Sequence, residues 1–156
     1  MTGNEQGLFE PARAITREEF VKLLLMAIGE SVSPDAENVF DDVSESDWFA
    51  PYVNTAYKLG LVTGISDTAF GIGRSITRQD MAVMIKRAAD YKGISLEKKQ
   101  DNTLKDMDAV SDYAKESVVA LAGASVISGD ENAVFNPMGT ALREQAAAVI
   151  CRLQSE

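Results

Sequence analysis

A segment of fixed internal spacing occurs three times in this chain, and it limits the fold more than any other feature. Gly3, Phe9 and Arg17 stand six and eight residues apart. Gly64, Phe70 and Arg78 keep those intervals, and so do Gly129, Phe135 and Arg143. The arginines follow Ile15-Thr16, Ile76-Thr77 and Ala141-Leu142, and they are 61 and 65 residues apart. A period of about 60 residues is longer than one helix pair, which marks a repeat architecture with a shared core. It also sets one cation at the same place in every unit.

Each of these motifs opens a helical pattern. Phe20, Leu23, Leu24, Ala27 and Ile28 fall on one face at i, i+3 and i+4 spacing. Met81, Met84, Ile85 and Ala88 match them in the second copy, and Ala146, Val149, Ile150 and Leu153 in the third. The methionines read as core filler. A second kind of helix precedes the glycine of the later copies. One starts in Asp47-Trp48-Phe49-Ala50-Pro51-Tyr52, capped by Ser46 or Asp47, with Pro51 in its first turn and Gly60 as its stop. The other starts in Ser111-Asp112-Tyr113-Ala114 and runs through Val118, Leu121 and Ala122. Upstream, Phe40-Asp41-Asp42-Val43 matches Leu104-Lys105-Asp106-Met107. The expected organisation is half a unit over 1–30, a full unit over 38–93, a polar linker over 94–103 and a full unit over 104–156. If the first helices of the units pack about a common axis, the half unit leaves apolar surface open. A loosened monomer or self-association through that gap is then expected.

Most of the motif is explained by helix termination. Thr16 with Glu19 forms a capping box, and Thr77 with Asp80 a weaker one. The arginine is different, because the positive end of the helix dipole disfavours a cation there. Three such placements against local preference point to a role. A guanidinium beside free helix N–H groups suits a carboxylate or phosphate. The alternative is a solvated arginine, or one bridging to a neighbouring unit's aspartate such as Asp42 or Asp106. Trp48 and Tyr52 offer a platform for a sugar ring, and core packing accounts equally for Trp48. The loop Asp130-Glu131-Asn132 lacks the glycine and final glutamate of a calcium loop.

Composition removes several classes. A net charge of −9 and a pI near 4.5 leave no broad basic face for nucleic acid, so an anionic partner must be held by locally placed arginines. No apolar run is long enough to span a membrane, so no membrane insertion is expected. Met1 to Gly7 lack the basic and apolar regions of a secretory signal, so an exported protein would carry its signal outside these residues. There is no histidine, which excludes histidine triads and histidine-ligated metals, and neither cofactor nor metal is expected. Cys151 is the one cysteine; following Val149-Ile150 on a helical stretch, it is expected in the core. Adjacent acids such as Asp41-Asp42 and Glu18-Glu19 read as caps and solvated faces, since glycosidase chemistry needs carboxylates converging across a cleft.

Taken together, the run Phe40-Asp41-Asp42-Val43, Asp47-Trp48-Phe49-Ala50-Pro51-Tyr52, Gly60-Leu61-Val62-Thr63-Gly64, Phe70 and Ile76-Thr77-Arg78 resembles an S-layer homology (SLH) repeat. Asp112-Tyr113-Ala114-Lys115, Val126-Ile127-Ser128-Gly129-Asp130, Phe135-Asn136-Pro137 and Arg143-Glu144-Gln145 are similar to another form of it. Phe9-Glu10-Pro11 and Ile15-Thr16-Arg17-Glu18-Glu19-Phe20 resemble the back half of a third. The resemblance implies an all-α module with the repeats in a pseudo-threefold arrangement, the first truncated, and ligand grooves between them. It implies a noncatalytic anchor at the cell wall or S-layer of a Gram-positive-type bacterium. Its partner would be secondary cell-wall polysaccharide carrying a pyruvylated amino sugar, whose carboxylate suits the arginines. The rival is a protein–protein scaffold or self-assembly module with structural arginines. The ligand-binding residues expected are Arg17, Arg78, Arg143, Thr16, Thr77, Asp47, Trp48, Gly64 and Gly129. Three positions depart from the family pattern: Leu142 for threonine, Ser125 at the place of Gly60, and Ile72 for proline. These make the third groove the expected degenerate one and Arg78 the expected best site.

Overall fold

A computed structural model describes residues 10–156; Gly3 and Phe9 of the first copy lie outside the described residues. Within them the chain is helical. The elements are α1 (Arg17–Ala27), α2 (Ala50–Lys58), α3 (Arg78–Lys92), α4 (Asp112–Gly123) and α5 (Arg143–Gln154), with a 3-10 turn at Met107–Ala109.

The repeated motif builds the centre of the fold. The residues just before α1, α3 and α5 are extended and meet head to tail in a ring. Ile15 N–H donates to Ala141 O (3.1 Å), Ala141 N–H to Ile76 O (3.0 Å) and Ile76 N–H to Ile15 O (3.0 Å). A second tier repeats the rotation, with Arg17 N–H donating to Arg74 O, Arg78 N–H to Gly139 O and Arg143 N–H to Arg13 O. Such short bridges are weak singly, but a closed ring leaves no unpaired edge. The side chains of Ile15, Ile76 and Ala141 are completely buried on this pseudo-threefold axis.

Around the axis α1, α3 and α5 touch one another, while α2 packs on α1 and α4 on α3. The axial helices are thus the second of each unit and the first helices are peripheral, the reverse of the sequence expectation. Helix α5 has no such outer partner among the described residues. The surface this leaves is small-residue rather than strongly apolar: Ala147 and Ala148 are half-buried and Cys151 is exposed. Cys151 is therefore not a core thiol. Leu25, its counterpart eight residues beyond Arg17 in α1, is fully buried.

The predicted stripes of α3 and α5 are buried throughout, with Phe20 and Leu24 buried in α1 beside Val21 and Leu25. Helix α2 starts later than expected, with Phe49 as N-cap and Pro51 in its first turn. Asp47 instead closes the preceding turn, its Oδ2 accepting from Ser44 N–H (2.8 Å). Gly60 ends α2 at φ +75°, and Ser125 takes the same left-handed backbone at φ +61° after α4. A non-glycine residue there is strained by about 1 kcal/mol or more. Gln79, almost fully buried, fastens α3 to the start of α4: it accepts from Ser111 N–H and donates to Ser111 Oγ and Tyr113 Oη.

The aspartates of the leading loops clamp the phenylalanine segments. Asp42 accepts from the N–H groups of Phe70, Gly71 and Ile72, and Asp106 from those of Phe135 and Asn136, at 2.7–3.0 Å. Burial alone would raise both carboxyls, but these donors outweigh it and hold them below the ordinary aspartate value. Gly64 and Gly129 sit where these loops double back. A Cβ at Gly64 would lie 2.3 Å from Ala69 O, and one at Gly129 2.8 Å from the Ala133 carbonyl carbon.

Candidate functional site

The arrangement of the ring dictates where each arginine goes. Because the backbone of one unit's helix start docks on the next unit, its side chain reaches into that unit's loop. Arg17 Nε donates to Phe70 O (2.9 Å) with its guanidinium 4.9 Å from the Phe70 ring centroid. Arg78 repeats this on Phe135, at 2.7 Å and 5.0 Å. Phe70 and Phe135 are thus each both a core anchor and the floor on which a neighbouring arginine lies.

The first N–H groups of these helices, by contrast, are largely engaged within the protein. Those of Arg17, Arg78 and Arg143 are spent on the second tier of the ring. Gln79 N–H and Glu144 N–H donate to Pro137 O and Pro11 O. The next N–H of α1 and of α3 is capped by Thr16 Oγ1 and Thr77 Oγ1. Leu142 has no side-chain acceptor, so only the reverse half of a capping box remains there, with Leu142 N–H donating to Gln145 Oε1 (3.0 Å). The expectation of a guanidinium beside free helix N–H groups is therefore corrected. In α3 the first three N–H groups are all engaged, so an anion at Arg78 is met by the guanidinium rather than by its own helix start.

The three arginines differ in what faces them. Arg17 is 5% exposed and fully engaged, with Nη1 donating to Asp80 Oδ2 (3.0 Å) and Nη2 to Thr63 O (3.2 Å). Asp80 also accepts from Tyr113 Oη (2.5 Å). Arg143 Nη1 lies 3.6 Å from Glu19 Oε2, a carboxylate that Arg13 Nη2 also holds at 2.6 Å. Rotation about the axis brings Gln145 to the corresponding place beside Arg78. Its amide oxygen is directed to its own helix start. Among the described residues no protein acceptor bonds Arg78 Nη1 or Nη2.

Two cavities follow from this geometry. One of about 480 Å³ is lined by Arg78, Gly129, Phe135, Asn136, Gln145 and Arg152 among others. The other, of about 380 Å³, is lined by Arg17, Gly64, Asp80, Arg87 and Tyr113 among others. Arg87 and Arg152 each stand nine residues beyond the motif arginine of their own helix, so each cavity carries a second cation. Burial lowers the pKa of both motif guanidinium groups. Asp80 opposes this for Arg17, and Asp106 with Asp130 opposes it at longer range for Arg78. Asp130 is folded onto its own loop, accepting from Asn132 N–H and Val134 N–H, and does not bond the arginine.

The expected residues therefore do not form one site. Arg78 joins Gly129, and Arg17 joins Gly64. Thr16 and Thr77 act as helix caps, and Asp47 closes its own turn. Trp48 is 54% exposed, edge-on to Phe49 and Tyr52, with Lys22 Nζ 5.6 Å from its ring centroid. Lys22 occupies on α1 the position that Val83 and Ala148 hold in the two cavities. Trp48 thus borders the Arg143–Glu19 side, away from Arg78. Asp80, Gln145, Arg87, Arg152 and Tyr113 were missed from the sequence. Aligning the copies at two and nine residues beyond each arginine would have found the first four.

A family model for the S-layer homology domain matches residues 1–21, 39–82 and 103–147. An amylopullulanase of Thermoanaerobacterium thermosulfurigenes is 33% identical over 91% of this chain and 8% of its own length. The exoglucanase XynX of Acetivibrio thermocellus is 33% identical over 91% of this chain and 13% of its own. The S-layer protein sap of Bacillus anthracis is 28% identical over 99% of this chain and 18% of its own. The chain spans less than a fifth of the length of each of these relatives. With three family segments covering most of the sequence, the chain belongs to the S-layer homology domain family.

Proposed function

We propose that the chain is a noncatalytic module that anchors a protein to the bacterial cell wall by holding an anionic, pyruvylated secondary cell-wall polysaccharide at Arg78. Relatives named as S-layer proteins and as a cellulosome-anchoring protein support the anchoring reading. The observation that carries the ligand reading is Arg78 itself. Its guanidinium lies over Phe135, is fixed through Nε and has no acceptor for either Nη group among the described residues, at a cavity of about 480 Å³. A planar fork of this kind suits a carboxylate, and a ketal-linked pyruvate supplies one on a sugar ring. The polar rim of Ser128, Asn136, Thr140 and Gln145 offers donors and acceptors to hydroxyl and acetamido groups. Local placement also reconciles an acidic protein with an acidic polymer.

The test is binding of the protein to purified cell-wall polysaccharide before and after chemical removal of pyruvate. Binding is expected to fall at least about tenfold on depyruvylation, the scale of a charge-assisted contact. Undiminished binding removes the carboxylate role.

A structural reading of the arginines is favoured at two of the three positions. Arg17 bonds Asp80 and two carbonyls, and Arg143 faces Glu19, so both serve as ties between units.

A further inference from the structure

Three positions into α3 and α1, Asp80 and Glu19 face the motif arginine of the preceding unit, Arg17 and Arg143, and their α5 counterpart Gln145 lines the Arg78 cavity. We propose that this position sets which groove accepts an anion: Asp80 closes the Arg17 groove and the neutral Gln145 leaves the Arg78 groove open, while Glu19 faces Arg143 as Asp80 faces Arg17. The inference rests on the anion-binding reading above and adds its determinant, a position outside the repeated Gly-Phe-Arg pattern.

The two described cavities make the case because they are otherwise alike. Each has an arginine fixed through Nε to a phenylalanine carbonyl, the same phenylalanine floor and a second arginine on the facing helix. Each also has one lining carboxylate, so the formal charge of the two linings is equal. What differs is where that carboxylate sits. Asp80 is bonded to Arg17 at 3.0 Å and held in place by Tyr113. Asp130 is bound to its own backbone. An internal carboxylate already tethered to the guanidinium competes with any external one at a high effective concentration. It also leaves an incoming anion facing an uncompensated negative neighbour. Gln145 can do neither.

The substitutions are conservative. Asp80→Asn keeps an acceptor for Tyr113 and shape at the helix start, while removing the charge. Gln145→Glu keeps the acceptor for Leu142 N–H and adds a charge beside Arg78. Their effects are read by NMR of the arginine Nε–H and Nη signals, and by calorimetry.

Sodium acetate, at matched ionic strength, is the first probe because it is the carboxylate alone. It is expected to shift the Arg78 signals in the unsubstituted protein, both Arg78 and Arg17 in Asp80→Asn, and neither in Gln145→Glu. A methyl glycoside of a pyruvylated N-acetylhexosamine is the second. One site is expected in the unsubstituted protein, two in Asp80→Asn, and affinity at least about tenfold weaker in Gln145→Glu. Equal acetate shifts at Arg17 and Arg78 in the unsubstituted protein overturn the inference, as does unchanged stoichiometry in a folded Asp80→Asn that binds the glycoside. An acetate pattern as expected without glycoside binding would instead remove the saccharide reading and leave the determinant standing. Asp80→Ala, with thermal melting as its control, separates loss of charge from loss of fold.

Discussion

The Arg17 and Arg78 grooves are two copies of one design with opposite outcomes. Both lay a guanidinium on a phenylalanine clamped by an aspartate, and both place an arginine two and a half helical turns further along the opposite helix. In the first, the cation is consumed by Asp80, Thr63 O and Phe70 O, and the groove becomes a joint between units. In the second, it is oriented by one bond, lines the cavity and has no acceptor for its outer nitrogens among the described residues. The lesson is that a repeated cation carries information only with its partner. Charge count does not separate the grooves; the position of one carboxylate does.

The sharpest way to break this comparison is to remove each arginine in turn. Arg78→Ala is expected to lower polysaccharide affinity by about a hundredfold, the upper range for a charged contact, with a small effect on stability. Arg17→Ala should do the opposite. Polysaccharide affinity stays within about twofold, while unfolding free energy falls by roughly 2–4 kcal/mol as a buried, paired group is lost. Equal binding losses in the two variants, measured by calorimetry alongside denaturant melts, would erase the distinction.

The clamps sharpen it next. Asp42 receives three backbone donors and Asp106 two. Asp42→Ala should therefore destabilise more, by about 2 kcal/mol against about 1 kcal/mol. Only Asp106→Ala should also weaken ligand binding, because Phe135 O fixes Arg78. Acid adds a third comparison. Both carboxyls titrate below their unfolded value of about 3.9, so their contribution is complete above that pH and is lost as pH falls through the lowered folded values. Backbone amide shifts of Phe70 and Phe135, followed from pH 6 downward, should stay constant until below about pH 4. Movement of either amide at pH 5 would contradict the clamp.

The smallest effects concern the turns. Ser125→Gly should raise stability by about 1 kcal/mol by relieving a left-handed backbone, and Gly60→Ala should lower it by a similar amount. Leu142→Thr should add about 0.5–1 kcal/mol by restoring the cap present at Thr16 and Thr77. Thermal melts of the three variants check these signs.

Much of this is legible in the sequence. The caps at Thr16 and Thr77, the stop at Gly60, the buried stripes of α3 and α5 and the irregular place of Ser125 all follow from local backbone chemistry. So does the equivalence of Asp42 and Asp106, though not its purpose: their backbone partners lie nearly thirty residues away. Cys151 was misread because its helical neighbours predict a buried face, and burial depends on which outer helix covers it. The packing order was misread for the same reason, since both helix types are amphipathic and periodicity does not say which lies inside.

The sequence by itself determined that this protein is a threefold repeat of helices with one arginine per unit. It determined where those helices begin, because capping, turn geometry and apolar spacing act over a few residues. The partner of each arginine was fixed by the tertiary structure. Arg17 and Asp80 are 63 residues apart, and they meet because ring closure turns each helix start toward the next unit. That pairing follows from the order of units about the axis, which no local preference encodes.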